Sequence, residues 1–129
     1  MQFSPAVNPL PKRDKVKIPS EKLTEYSLNP NGDPNKAIAF QSALGYTLKD
    51  AKLLEDKIMA GLEIFNATAG KKDEFGERYQ VIMRMTGNNG KTANVLTAWI
   101  DDIKKDEMRM INAYVTKKGV LSHDTYKTI

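Results

Sequence analysis

Polar side chains that contact phosphates and bases in other proteins alternate with apolar ones along two neighbouring stretches of this chain. Arg78, Gln80 and Arg84 lie in the first stretch, and Thr97 and Trp99 lie in the second. A guanidinium binds a phosphate through two parallel hydrogen bonds, and an indole ring stacks on an unpaired base. If one sheet face carries all five, the pattern predicts a site for a phosphate beside an unstacked nucleotide. The structural alternative is an arginine packed on a tryptophan ring, which stabilises a sheet without any ligand.

The residues between the two stretches predict how they are joined. Positions 87–90 read Gly-Asn-Asn-Gly, and both residue types tolerate the positive φ angles of a tight hairpin turn. If Asn88 and Asn89 are the two turn residues, Thr86 lies opposite Lys91. Side chains alternate between the two faces of a strand, so this register fixes the composition of both faces.

The predicted register gives one apolar face and one mixed face. The apolar, core face carries Tyr79, Val81, Met83 and Met85 with Thr92, Asn94, Leu96 and Ala98. The mixed face carries Arg78, Gln80, Ile82 and Arg84 with Ala93, Val95, Thr97 and Trp99. On the mixed face Arg78 is expected opposite Trp99, and Gln80 opposite Thr97.

Three further side chains, besides Thr97, are candidates for the same site. Lys36 follows the capped start of a helix, where backbone N–H groups and an ammonium group bind anions; the alternative is a solvated surface lysine. Lys91, just past the turn, either reaches the end of the sheet or protects its edge. Thr97 either donates its hydroxyl to a phosphate or is simply a residue that favours strands. Asn94, placed on the apolar face, either orients a catalytic group or bonds to a loop carbonyl.

A phosphate site that also carries out chemistry needs proton transfer, usually by a histidine, and the chain has one, His123, in the C-terminal segment. Either His123 folds back onto the site, or Lys, Arg and Tyr side chains carry out the chemistry; we favour the second. An acidic run at 101–107 has no spacing typical of a metal-binding loop, and a solvated turn is the better interpretation. No metal site is predicted.

The composition is that of an ordinary soluble globular domain. The chain has 129 residues, of which 40% are hydrophobic, 28% are charged and none is cysteine, so disulfides and thiol nucleophiles are excluded. The net charge is +4, but residues 23–115 carry twelve Lys/Arg against thirteen Asp/Glu. A nucleic-acid site within this nearly neutral central region therefore requires a local basic patch. No signal peptide, membrane-spanning run or cofactor motif is evident.

Local signals predict helices first and strands afterwards. Pro34 after Asp33 begins a helix that Gly45 ends, and Thr47 with Asp50 forms the capping box of the next helix. The predicted elements are an edge strand at 16–18, helices at 20–28, 34–44 and 48–62, and strands at 64–68, 75–86, 91–100 and 108–115. Residues 69–74 are expected to form a polar loop.

This order of elements predicts the α+β class. We expect N-terminal helices packed on one face of an antiparallel meander of about four strands, in a single domain at 16–117. Three prolines suggest an extended linker or leader at 1–15, and residues 118–129 are interpreted as a polar, basic tail.

The chain also resembles a known family. The resemblance covers roughly residues 16–117 and is strongest at Asn35-Lys36-Ala37, at Phe40 with Leu44-Gly45, and along 86–99. The family consists of small bacterial domains of unknown function. They occur alone and at the C-terminal ends of polymorphic toxins, contact-dependent inhibition proteins and prophage head-morphogenesis proteins.

The resemblance implies a toxin module that cleaves tRNA or another structured RNA without a metal. Many modules of this kind have the barnase–EndoU–colicin–RelE fold. The module would act in the cytoplasm of a target cell after delivery within a larger secreted protein, and a cognate immunity protein would inhibit it. In that scheme Arg78, Lys36, Lys91 and Thr97 are the catalytic candidates. Arg84, Trp99, Gln80 and Asn94 are the RNA-binding candidates. Two alternatives remain: a non-enzymatic adaptor that binds a protein, and an enzyme acting on a small phosphorylated ligand.

Overall fold

A five-stranded mixed sheet forms the frame of the molecule, which is described by a computed structural model covering residues 3–129. The strands are β1 (Val16–Lys17), β2 (Ala67–Asp73), β3 (Gly76–Thr86), β4 (Thr92–Asp102) and β5 (Glu107–Thr116). Their order is β1-β5-β4-β3-β2; β2 to β5 form an antiparallel meander, and β1 joins β5 in parallel. The predicted α+β class is confirmed, with five strands rather than about four.

The helices lie in the N-terminal half and pack on one face of the sheet. They are α1 (Pro34–Leu44), α2 (Ala51–Gly61) and a short π-helical segment (Lys22–Ser27), with single 3-10 turns at Arg13–Lys15, Leu48–Asp50 and Ser122–Asp124. The predicted caps are confirmed: the Asp33 carboxylate accepts from the Lys36 N–H, Gly45 ends α1 at φ 69°, and Thr47 and Asp50 form the capping box. Within residues 3–129, no helix has the length and hydropathy needed to cross a lipid bilayer.

The core lies between the helices and one sheet face. Phe40, Leu44, Leu54 and Ile58 of the helices meet the inward side chains of the sheet, among them Trp99. Neither α1 nor α2 packs on the opposite face of the sheet, and we call it the open face.

The loop between β3 and β4 contains three residues, Asn88 to Gly90, rather than the two predicted. The Gly87 N–H donates to the Lys91 carbonyl (2.8 Å), so the ladder continues one pair beyond Thr86 and Thr92. A two-residue turn of the predicted kind needs positive φ at both of its residues, and here only Gly90 provides it, at 79°. The predicted pairing of Thr86 with Lys91 is therefore wrong by one residue.

This one-residue difference reverses the two faces of β4. The faces predicted for β3 are correct. In β4, however, Ala93, Val95, Thr97 and Trp99 point into the core, and Asn94, Leu96, Ala98 and Ile100 lie on the open face. Arg78 consequently pairs with Ile100 instead of Trp99, and Gln80 pairs with Ala98 instead of Thr97.

The first strand of the meander lies later in the chain than predicted. The expected strand at 64–68 and the expected loop at 69–74 are replaced by β2 at 67–73, with an irregular register between Ala69 and Lys72. This segment has weak strand propensity. Pairing with the free edge of β3 overrides that preference, as tertiary context commonly does in sheets.

The segment interpreted as a tail packs against the sheet. The Asn94 side chain donates to the Lys118 carbonyl (3.0 Å) and the Arg84 guanidinium to the Thr125 carbonyl (2.6 Å). Both side chains lie on the open face near the β3–β4 loop, so residues 117–125 cross that end of the face. Leu96, which lies on the same face, is 0% exposed. The segment predicted as a leader is also packed in part, since Leu10 is buried.

The C-terminal segment is anchored by a buried ion pair. Lys127 donates to the Asp124 carboxylate (2.9 Å) and to the Ile64 carbonyl (2.6 Å). The same carboxylate accepts from the backbone and side-chain N–H groups of Asn66. The exposed fractions of the Asp124 and Lys127 side chains are 0% and 4%.

Gly87 is expected to tolerate a methyl group far less well than Gly90. A Cβ at Gly87 would lie 2.1 Å from the Leu44 carbonyl oxygen, whereas one at Gly90 would meet nothing within 4 Å and would only strain the positive φ. Urea unfolding of Gly87→Ala should show a loss of about 3 kcal/mol, and of Gly90→Ala about 1 kcal/mol. Gly119→Ala, which meets no atom and has ordinary φ, is the control; equal losses at 87 and 90 would contradict the contact.

Removing one partner of the Asp124–Lys127 pair should be strongly destabilising, because the other charge stays buried. We expect a loss of about 3–5 kcal/mol in the free energy of unfolding for Asp124→Ala or Lys127→Met. Asp56→Ala, which removes an exposed partner of Lys52, serves as the matched control and should change little. A loss at position 124 no larger than at position 56 would show that the anchor does not hold the segment.

Candidate nucleic-acid interface

A groove runs along the open face at the end of the sheet remote from the β3–β4 loop. It consists of two clefts, of about 360 and about 370 Å³, which share Arg78 and Ile111. The first cleft lies over β2 and β3 and includes Thr68, Gln80 and Ala98. The second lies between the β2–β3 and β4–β5 turns; its further lining includes Phe75, Ile100, Asp102, Lys104, Lys105 and Arg109. We call the two clefts together the open-face groove.

The groove concentrates positive charge. Five cationic side chains line it against one carboxylate, that of Asp102. Asp73 and Glu107 pair with its two arginines, so the local net charge is +2 (five cations against three carboxylates). The cations are Lys71, Arg78, Lys104, Lys105 and Arg109. The groove is therefore the local basic patch that the nearly neutral central region requires for a polyanion.

Carboxylates position the two arginines of the groove. Arg78 Nη1 lies 2.9 Å from Asp73, and Arg109 Nη1 lies 2.8 Å from Asp102 and 3.1 Å from Glu107. The hydrogen bond from Arg78 lowers the pKa of Asp73, and the one from Arg109 lowers the pKa of Asp102, so both carboxylates favour the charged form. Each guanidinium has five N–H donors, and these pairs use one nitrogen of each, which leaves donors for a phosphate.

Lys36 reaches the open face from the side of the helices. Its ammonium group lies 2.8 Å from Asn112 Oδ1 and 5.8 Å from the centre of the Tyr114 ring. Asn112 pairs with Ala98, which pairs with Gln80, so these side chains form one row across three strands. The structure thus places Arg78, Gln80 and Lys36 on the same face, as predicted for the two β3 residues.

Thr97 and Trp99 do not share that face, and their predicted position is wrong. Trp99 Nε1 donates to Thr97 Oγ1 (2.9 Å), and Thr97 Oγ1 donates to the Val81 carbonyl (2.8 Å). Both residues are 0% exposed. An indole in this position has no free ring face for a base, and the Thr97 hydroxyl is already bonded within the core.

Arg84, Asn94 and Lys91 lie outside the groove. Asn94 is on the open face, contrary to the prediction, and both it and Arg84 donate to the C-terminal segment. Lys91 is exposed and directly follows the β3–β4 loop. Eight residues of β3 separate that end of the sheet from Arg78, or about 26 Å at about 3.3 Å per residue. Lys91 and Arg78 therefore cannot contact the same phosphate.

The tyrosine nearest the groove is a poor general base. Burial, with a further contribution from the hydrogen bond to Glu77, raises the pKa of Tyr79 to about 12. Its hydroxyl keeps its proton at neutral pH, when a base must be deprotonated. His123 is exposed in the turn Ser122–Asp124. Within residues 3–129, no three His, Asp or Glu side chains lie together in a way that would hold a metal ion.

Sequence reasoning missed Phe75, Arg109 and the two lysines of the β4–β5 turn. Arg109 alternates with Met108 and Met110 in a strand that was predicted, so its position on the open face followed from that pattern once the core face of β5 was known. The predicted strand at 75–86 includes Phe75, but this residue lies in the turn before β3, so strand alternation does not place its side chain.

The fold and the groove define a small α+β domain with helices on one sheet face and a cationic groove on the other. The chain belongs to the family described as Domain of unknown function (DUF6883), whose model matches residues 9–117. This membership agrees with the resemblance to a family of domains of unknown function. No curated protein and no solved structure matches the chain significantly.

Tyr79 should make the fold sensitive to alkali. Its pKa is about 12 in the folded protein and 10.0 ordinarily, so the stabilisation is complete below pH 10 and is lost as the pH rises towards 12. Over that range the wild type should lose on the order of 2 kcal/mol relative to Tyr79→Phe. Urea unfolding across the range, with tyrosinate absorbance as a second readout, measures this; an equal alkaline loss in Tyr79→Phe would contradict it.

Proposed function

We propose that this domain is a toxin-type ribonuclease that cleaves tRNA or another structured RNA without a metal, and that the open-face groove is its RNA site. The observation that carries the proposal is a groove lined by two arginines, two turn lysines and an exposed aromatic ring, with a local net charge of +2 when the carboxylates paired with the arginines are counted. Cationic side chains neutralise the phosphates, and the aromatic ring and Gln80 contact bases.

The roles of the groove residues follow from their chemistry. Arg78 and Arg109 hold the scissile phosphate and stabilise the negative charge that builds on it. Glu107, held beside Arg109 at 3.1 Å, takes the proton of the 2′-OH. The 2′ oxygen then bonds to phosphorus, the 5′ oxygen leaves, and Lys104 or Lys105 supplies its proton. The products are a 2′,3′-cyclic phosphate and a 5′-hydroxyl end.

The other parts of the proposal rest on the family resemblance. We propose that a larger secreted protein delivers the domain into the cytoplasm of a target cell and that a cognate immunity protein covers the groove. Charge complementarity favours an acidic partner, because a positive surface attracts a negative one and rejects a positive one.

A second candidate is a non-enzymatic adaptor that binds a protein partner through the same face. It is favoured by the ion pairs of Arg78 and Arg109, since a structural role for arginine needs no further ligand. Growth on induction separates the two candidates. A nuclease should arrest growth unless its immunity protein is co-expressed, whereas an adaptor should not.

Neutralising either groove arginine should abolish most of the cleavage. We expect Arg78→Gln and Arg109→Gln to lower the rate on total tRNA by about 100-fold or more in the presence of a chelator. Each should also make RNA binding less sensitive to salt. The slope of log binding constant against log salt concentration should become about 0.7 less steep, the value for one single-stranded phosphate contact. Gel electrophoresis and fluorescence anisotropy measure these effects.

Arg13→Gln is the matched control, because Arg13 is also a partly exposed arginine in an ion pair, with Glu63, and lies outside the groove lining. It should leave the rate and the salt dependence unchanged. Wild-type protein that leaves tRNA and rRNA intact while binding neither would contradict the proposal.

A further inference from the structure

The floor of the open-face groove is apolar although its rim is cationic. Ala98, Ile100 and Ile111 are the side chains of β4 and β5 on the floor, and both clefts include Ile111. At the β4–β5 irregularity beside Ala98 and Trp99, Ile111 is the extra residue, which places it next to Asn112 on the same face. A charged phosphate gains nothing from contact with an apolar floor, whereas the planar face of a base packs well on one.

An aromatic ring stands at the mouth of the second cleft. Phe75 is 58% exposed in the turn between β2 and β3 and lines the cleft together with Arg78 and Lys104. A large apolar side chain that is exposed among cations contributes little to the stability of the fold. As a stacking surface for a base whose phosphate lies on the neighbouring cations, it has the arrangement of single-strand binding sites.

We infer that the open-face groove takes a single, unpaired nucleic-acid strand, with bases on the Ala98–Ile111 floor and against Phe75 and phosphates on the cationic rim. This inference rests on the proposed function and narrows its substrate to an unpaired segment of the RNA, such as a loop. A duplex keeps its bases paired inside, so it presents phosphates to the rim and leaves the floor and Phe75 without a partner.

The two clefts set the scale of the site. Volumes of about 360 and about 370 Å³ lie at the lower end of the range for small-ligand pockets, about 300–1,000 Å³. Two such clefts in series, joined at Arg78, suit neighbouring nucleotides with one guanidinium between them. Beyond the groove, the C-terminal segment covers the face at Arg84 and Asn94, so a bound strand does not continue over that end of the sheet.

The test compares one short oligonucleotide as a single strand and as a duplex with its complement, at equal phosphate concentration. Both carry 2′-O-methyl groups, so the strand cannot be cleaved during the measurement. Wild-type protein should bind the single strand about 10-fold or more tightly than the duplex by fluorescence anisotropy. Phe75→Ala should weaken single-strand binding by about 5- to 100-fold and leave duplex binding unchanged.

Tyr26→Ala is the control, since Tyr26 is an exposed aromatic residue on the helical side, and neither affinity should change. Phe75→Trp gives a second readout, because stacking should quench its fluorescence with the single strand and not with the duplex. Equal affinity for the two forms, or no effect of Phe75→Ala, would overturn the inference and leave the groove as a phosphate site. Failure of wild-type protein to bind either form would overturn the proposed function itself.

Discussion

The length of the loop between β3 and β4 determines which side chains of β4 lie on the open face and which lie in the core. Gly87 backs onto the end of α1 so closely that a Cβ there would lie 2.1 Å from the Leu44 carbonyl oxygen. Gly45, the left-handed cap of α1, also lies close to the loop: a Cβ at this position would be 3.2 Å from the Asn89 backbone nitrogen. The loop and the helix end fix each other, and the three-residue loop sets the pairing of all of β4.

The chemistry of the open face follows from that pairing. With Trp99 turned inward, its N–H is bonded to Thr97 and its ring fills the core, so the sheet gains a large buried aromatic instead of an exposed one. The outward positions that Trp99 and Thr97 would have occupied hold Ile100 and Ala98. Small and aliphatic residues beside Arg78 and Gln80 create the apolar floor and leave room for the clefts.

The sequence predicted what depends on local chemistry and missed what depends on distant contacts. The ends of α1 and the capping box before α2 followed from residues a few positions apart, because the cap bonds are themselves local. The faces of β4 did not follow, because a loop of two residues and one of three are both compatible with Gly-Asn-Asn-Gly, and packing against Leu44 chooses between them. The anchor of the C-terminal segment was missed for a related reason: Asp124 and Lys127 give no periodic signal, and their partners Asn66 and Ile64 lie about 60 residues earlier.

The C-terminal segment also determines how much of the open face is available for binding. It lies beyond residue 117, where the family match ends, and it covers the half of the face next to the β3–β4 loop. Leu96 is buried in this half; it belongs to the open face and is separate from the main core. Without a cover, Leu96 and Ile82 would form an apolar area next to the groove, of the kind that promotes association. Because Asp124 and Lys127 are buried with their hydrogen bonds satisfied, lifting the segment would remove the hydrogen-bond partners of Asn66 and of the Ile64 carbonyl, which makes the cover a fixed part of the fold. The binding surface is thus confined to the cationic half of the sheet.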